Sequence, residues 1–200
     1  MENLLNFYLK SIERVKLLFE QEVDSRFEYH NLRHTLDVLE KAESIGRAEG
    51  VNDSDILLLK IAALFHDTGF ASTRKNHEEA SVQNFLHEAK GESISEHEKQ
   101  IICACILATC MPQNPKSPLE RILCDADLDY LGREDFFEIG DKLYNEMLYA
   151  GEINPNDAWN ELQIRFLENH QYKTDYSKSS RKKGLEENIQ LLKQGLRHSR

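Results

Sequence analysis

With 200 residues, 40% of them hydrophobic and 30% charged, the chain has the size and composition of one globular domain with a sizeable core. A formal net charge of −10 excludes generic affinity for nucleic acid, which depends on clustered Lys and Arg. No apolar run approaches the roughly 18 residues that a membrane span requires, and even the stretch 56–65 is broken by Lys60.

The first element predicted is an amphipathic helix with Leu5, Leu9, Ile12 and Phe19 on one face. Its opening, MENLLNFYLK, carries no basic segment ahead of an apolar one, so no secretory signal is expected and the protein is placed in the cytoplasm. A second helix begins near Asn31 and stops at Gly50; a third begins at Asn52 to Ser54 and closes at Gly69; Gly91 follows another over 79–90. Residues 111–117, with two prolines, form the clearest loop. Ser117-Pro118-Leu119-Glu120 combines a capping box with Pro at the first helical position, and Asn154-Pro155-Asn156-Asp157 is a further N-terminal signature. The stretch 175–183 reads as a polar connector whose Arg181, Lys182 and Lys183 are solvated, ahead of a last helix with Leu185, Ile189, Leu192 and Leu196 on one face. The four cysteines contain no CxxC pair and are expected as buried, reduced thiols. No segment alternates as a strand would. The expectation is all-α: a single domain over 1–200 of eight or nine helices, its motif-bearing core at about 25–175, the terminal helices packing on it.

Three short segments carry the chemistry: YHNLRH at Tyr29–His34, HD at His66–Asp67 and DADLD at Asp125–Asp129. Their imidazoles and carboxylates make the mixed N/O donor set that suits a divalent metal activating water. If the helix near Asn31 extends back one turn, His30 and His34 share a face at i and i+4. His66 and Asp67 sit at a helix end, where adjacent side chains can converge. Asp127 shares an apolar-periodic helix with Ile122, Leu123 and Ala126, a costly place for a carboxylate without a cation. Any one His in such a chain is more often a surface or core residue than a ligand; the joint pattern reverses that. Arg33, Arg74, Lys75 and Arg133 flank the motifs, either solvated or within reach of phosphate oxygens. Trp159 and Gln163 share a helical face that either packs in the core or meets a base.

The ordered set resembles the HD-domain superfamily of metal-dependent phosphohydrolases. YHNLRHTLDV, AALFHD, ILAT and ADLD look like segments of class I cyclic-nucleotide phosphodiesterases, while HDTGF and DADLDYLG are similar to small, stand-alone bacterial HD proteins. The superfamily resemblance implies a helical fold with His34, His66, Asp67 and Asp127 as metal ligands; the phosphodiesterase likeness implies His30 as general acid. Asp67 would also orient the nucleophile, and Arg33, His77 and Arg133 would contact substrate. Two His and two Asp suit Mn, Fe, Zn, Co or Ni, with Mg less at ease beside imidazole, as one or two ions. The expected substrate is a small phosphomonoester or phosphodiester, foremost a nucleotide; the number of chains in the assembly is left open.

Departures narrow this. HD is followed by Thr68-Gly69-Phe70 rather than a second Asp-His pair, and neither the Glu-Asp pair of ppGpp hydrolases nor the GYP segment of the cyclic-di-GMP branch is present. Di-iron HD oxygenases need two further histidines; His77 could be one, but Thr109 stands where the other is expected. The alternatives are a non-catalytic HD module that binds a nucleotide or partner, and a di-iron oxygenase.

Overall fold

A computed structural model describes residues 2–155 and 158–195. Nine α-helices and two 3₁₀ turns, with no strand, account for the regular structure among the described residues. No helix among them is long and apolar enough to cross a membrane.

Helix α1 (Glu2–Gln21) buries Leu4, Phe7, Ser11, Val15 and Phe19, whereas Leu5 and Leu9 are exposed. The expected face is therefore rotated by one position. The stripe through Phe7, Val15 and Phe19 removes more apolar area from water than the leucine stripe, and burial follows area. Asn31 caps α2 (Leu32–Ala48) by accepting from the backbone N–H of Arg33 and His34. Helix α3 (Asp53–Phe65), capped by Asn52, is buried on nearly every side and forms the axis of the bundle, touching α1, α2 and α5. After a 3₁₀ turn at Thr68–Ala71 come α4 (His77–Glu88) and α5 (Glu96–Ala108), the latter opened by a full capping box between Ser95 and Glu98. The loop expected at 111–117 leads into α6 (Pro118–Asp127), with Ser117 as its cap. These elements share one hydrophobic cluster.

A second cluster forms around the 3₁₀ turn Asp129–Gly132, α7 (Phe136–Tyr149), α8 (Trp159–Asn169) and α9 (Asp175–Lys193). The expected polar connector at 175–183 is instead the first half of α9. Thr174 caps it, its side chain accepting from the Ser177 N–H, and helix propensity outweighs the lack of apolar residues there. Nor is Arg181 solvated: it makes a two-point pair with Asp129, at 2.7 and 3.1 Å, while Lys182 and Lys183 are exposed as expected. Gly184 and Gly132 let α9 lie almost backbone to backbone on that turn, since a Cβ on Gly184 would fall 2.1 Å from the Gly132 carbonyl oxygen. Of the expected last-helix face, Leu185 and Leu192 are buried and Ile189 packs on the second cluster; Leu196 lies outside the described residues. So do Asn156 and Asp157 of the expected start signal, and α8 begins at Trp159. Cys105 and Cys124 are the buried thiols expected, but Cys103 is half-buried and Cys110 exposed.

Candidate metal centre and its pocket

Asp125, Asp127 and Asp129 leave the end of α6 in three directions. Fully buried Asp125 accepts the Lys173 N–H, at 2.8 Å, and both the N–H and hydroxyl of Thr174, tying down the entry to α9. Asp129 pairs with Arg181. Asp127 alone turns toward α2 and α3, where His34 in the first turn of α2 and His66 just past the end of α3 face it.

Around this point His34 Nε2 lies 3.2 Å from Asp127 Oδ1 and 3.4 Å from Asp67 Oδ2, and His66 Nε2 lies 3.2 Å from Asp67 Oδ2, 3.4 Å from His34 Nε2 and 3.6 Å from Asp127 Oδ1. Donors bound to one ion at about 2.1 Å stand roughly 3.0–3.5 Å apart, so these spacings fit a common cation. His34, His66 and Asp127 form a group that could hold a metal. Two further observations fit. His66 Nδ1 is 2.8 Å from the Ala63 carbonyl, which only accepts, so Nδ1 carries the hydrogen and Nε2 presents its lone pair to the centre. Asp67 Oδ2 is buried and accepts no hydrogen bond, the costly state that a cation relieves. The same carboxylates draw positive charge to this point: burial resists a charge on His66, yet Asp67 and Asp127 hold its pKa well above the ordinary value, and Asp127, against its own burial, is drawn down to about 2 by His34 and His66, so a cation bound here would take the place of the Nε2 proton.

His77, the first residue of α4, is brought in from the other side. Its Nδ1–H donates to the Arg74 carbonyl at 3.1 Å, and its Nε2 lies 3.4 Å from Asp67 Oδ1 and 3.5 Å from Glu78 Oε1. Gly69 makes this possible, because a Cβ there would sit 2.0 Å from the His77 carbonyl oxygen. Thr109 turns its hydroxyl back to the Ile106 carbonyl at 2.8 Å and offers no imidazole.

His30 does not share a helical face with His34; it precedes the Asn31 cap, outside α2. It reaches the centre by another device. Glu146, on α7 and wholly buried, accepts the backbone N–H of Tyr29 and of His30 on one oxygen, and His30 Nδ1–H and Arg74 on the other, at 2.5 and 2.6 Å. Burial would raise the Glu146 pKa, but His30 and Arg74 hold it at about 2. The His30 ring is stacked on Phe70 at 4.1 Å, with His77 tilted against the same phenyl ring at 4.2 Å. Glu146 was missed in the sequence. The available signal was a carboxylate on the apolar stripe of α7 set by Ile139 and Leu143, the same kind of signal that singled out Asp127.

A cavity of about 550 Å³ opens from the centre, with Tyr29, His30, Asp67, His77 and Asp127 at its floor. Trp159 and Gln163 both line it, Gln163 being buried and Trp159 half-buried. Arg33 and Arg133 lie in a separate cleft of about 380 Å³ that shares only Tyr29 with the first. Arg33 is mostly exposed there, and Arg133 is engaged by Asp135 and Asp37, each at 2.6 Å. Arg74 is paired with Glu146 and Glu152, and of Lys75 only the backbone carbonyl is engaged, by Thr73.

The sequence model of the HD domain family matches residues 31–129, the stretch that carries His34, His66, Asp67 and Asp127. This chain is an HD-domain protein. Members of that family are in general metal-dependent phosphohydrolases, and the HD domain here keeps the donor set that such chemistry requires. A crystal structure of a Lactobacillus plantarum protein shares the fold, with a TM-score of 0.64 over 93% of this chain and 96% of that one at 16% identity. No curated protein matches the chain. The HD domain ends at the 3₁₀ turn 129–132, so the C-terminal wall of the pocket lies beyond it.

Proposed function

We propose that this HD protein hydrolyses a small phosphate ester, monoester or diester, with a divalent transition metal (Mn, Fe, Zn, Co or Ni) held by His34, His66, Asp67 and Asp127. The observation that carries this is the buried, unpartnered Asp67 oxygen facing two imidazoles and a second carboxylate at the floor of an open pocket. A structural ion would have its positions closed by protein groups; this set faces space for a water and a substrate. The ion, when bound, supplies Lewis acidity toward water and a phosphoryl oxygen.

The protein's own residues do the rest. Asp67 faces the ligand set with Oδ2 and His77 with Oδ1, which places it to orient the attacking water. With Nδ1–H given to Glu146, Nε2 is the His30 atom left to pass a proton to the substrate. As the bond from phosphorus to the leaving oxygen breaks, His30 protonates that oxygen. His77 adds a donor for a phosphate oxygen. A nucleotide is the carrier that the motif likeness to cyclic-nucleotide phosphodiesterases in YHNLRH suggests, whereas the lining of the pocket points to a less polar one.

Purified protein is expected to retain about one or two transition-metal ions per chain, and Asp67→Ala and Asp127→Ala to lose them. An ester screen in Mn²⁺, with and without chelator, tests turnover. Unchanged metal content in both variants overturns the ligand assignment; bound metal with no ester hydrolysed overturns the enzyme in favour of a binding module.

A further inference from the structure

Resting on the hydrolysis proposed above, we infer that the substrate carries a single phosphate on a largely apolar body, rather than a polyphosphate or a sugar-rich carrier. The pocket is divided end to end. All its acidic groups lie at the metal floor or the rim: Asp67, Asp127 and Glu78 below, Glu152 at the Arg74 side. Beyond them the wall is Leu131, Phe136, Leu143, Met147, Trp159 and Leu162, with the Gln163 carboxamide as a neutral polar group. Gln163 lies against Gly140, where a Cβ would come 2.6 Å from its Nε2.

Among the described residues no Lys or Arg lines this cavity. Arg74, which pairs with Glu152 of the lining, is held by two carboxylates. One phosphate at the floor meets the cation, His30 and His77. A second and third phosphate would lie among leucines or beside Glu152, with no cation to replace their water. The several hydroxyl groups of a sugar would likewise lose water to walls that are mostly apolar, with Gln163 and Tyr130 too few to replace it. An alkyl or aryl body does the reverse, because burying it is favourable in proportion to its area. At about 30 Å³ for each water-sized group, 550 Å³ admits a carrier of roughly fifteen non-hydrogen atoms.

The chain's only tryptophan, Trp159, lies in this wall, so occupancy can be read without turnover. In Mn²⁺-reconstituted full-length protein, n-alkyl phosphates from ethyl to octyl are compared with glycerol phosphate, a nucleoside monophosphate and a nucleoside triphosphate. In parallel, Trp159 fluorescence is titrated with ethyl- and octylphosphonate. The expected result is a kcat/KM that climbs by up to about fourfold per methylene, with octylphosphonate perturbing Trp159 at concentrations at least tenfold below ethylphosphonate. Leu143→Asn should flatten both dependences while metal content stays constant. If the esters are hydrolysed but chain length has no effect, or the triphosphate is preferred, the apolar carrier is wrong and the hydrolase stands. If octylphosphonate shifts Trp159 while no ester turns over, the pocket assignment stands and the hydrolase fails. If neither phosphonate binds more tightly than the other, the inference is overturned whatever the activity.

Discussion

Glu146 joins His30, Arg74 and two backbone amides through one buried carboxylate, and its substitution should therefore be felt in two separate measurements. The first is kinetic. His30→Asn is expected to lower kcat by about 10²–10⁴ on alkyl esters with metal retained, and far less on a nitrophenyl ester, whose leaving oxygen needs no proton. Glu146→Gln should show the same dependence on leaving group, and the double variant should lose little beyond His30→Asn alone, since both act through one proton. The second is stability against pH. The Glu146 pKa is lowered from about 4.5 to about 2, so its contribution is complete above pH 4.5 and lost as pH falls through about 2. Denaturation of the wild type and Glu146→Gln should differ most near neutrality, by on the order of 3 kcal/mol, and converge as the solution is acidified across that window. A constant difference would mean that Glu146 acts by packing alone. The residues proposed as metal donors stood out as candidates because each stands where its chemistry is out of place: a carboxylate on an apolar stripe, an imidazole after an apolar run. Glu146 stands on such a stripe too, but its meaning depends on partners 72 and 116 residues away. Arg33 and Arg133 show the converse, since nearness in sequence to a motif does not decide which cleft a side chain enters.

At the scale of elements, helix ends were read best. Asn31, Asn52 and Ser117 all cap helices through contacts two or three residues along the chain, which sequence displays directly. Faces and long-range pairs were read worst. The rotation of α1 was hidden because two competing apolar stripes overlap by one position, and the first half of α9 was hidden because its anchoring is polar, through Asp125 on Thr174 and Asp129 on Arg181. The contact between α9 and the turn 129–132 has almost no spare volume. Gly184→Ala should accordingly destabilise the fold by about 1–3 kcal/mol, a fall in Tm on the order of 5 °C measurable by calorimetry. An unchanged Tm would show that α9 can back away from the turn at little cost.

For the whole molecule, the decisive geometry is that the two hydrophobic clusters meet at the metal centre: α2, α3 and α6 bring the donors, and the turn 129–132, α7 and α8 bring the facing wall. An ion bound there stabilises the native state alone, so at a hundredfold excess over its Kd it should add about 2.7 kcal/mol, raising Tm by roughly 5–10 °C. Chelation should reverse this, and Asp127→Ala should be indifferent to both. A helical bundle was legible from periodicity throughout; its division into two clusters was not, because nothing local distinguishes the apolar residues of one from those of the other. That division has a consequence for inheritance. The groups that would touch the ester as it is cut all lie between residues 30 and 127, while most of the apolar surface that would select its carrier comes from residues after 130. Cutting and choosing are written consecutively along the chain. Mutation or exchange in the second stretch that keeps Glu146, the partner of His30, can change what is admitted without disturbing how it is broken, and lineages sharing the first stretch are free to diverge in diet.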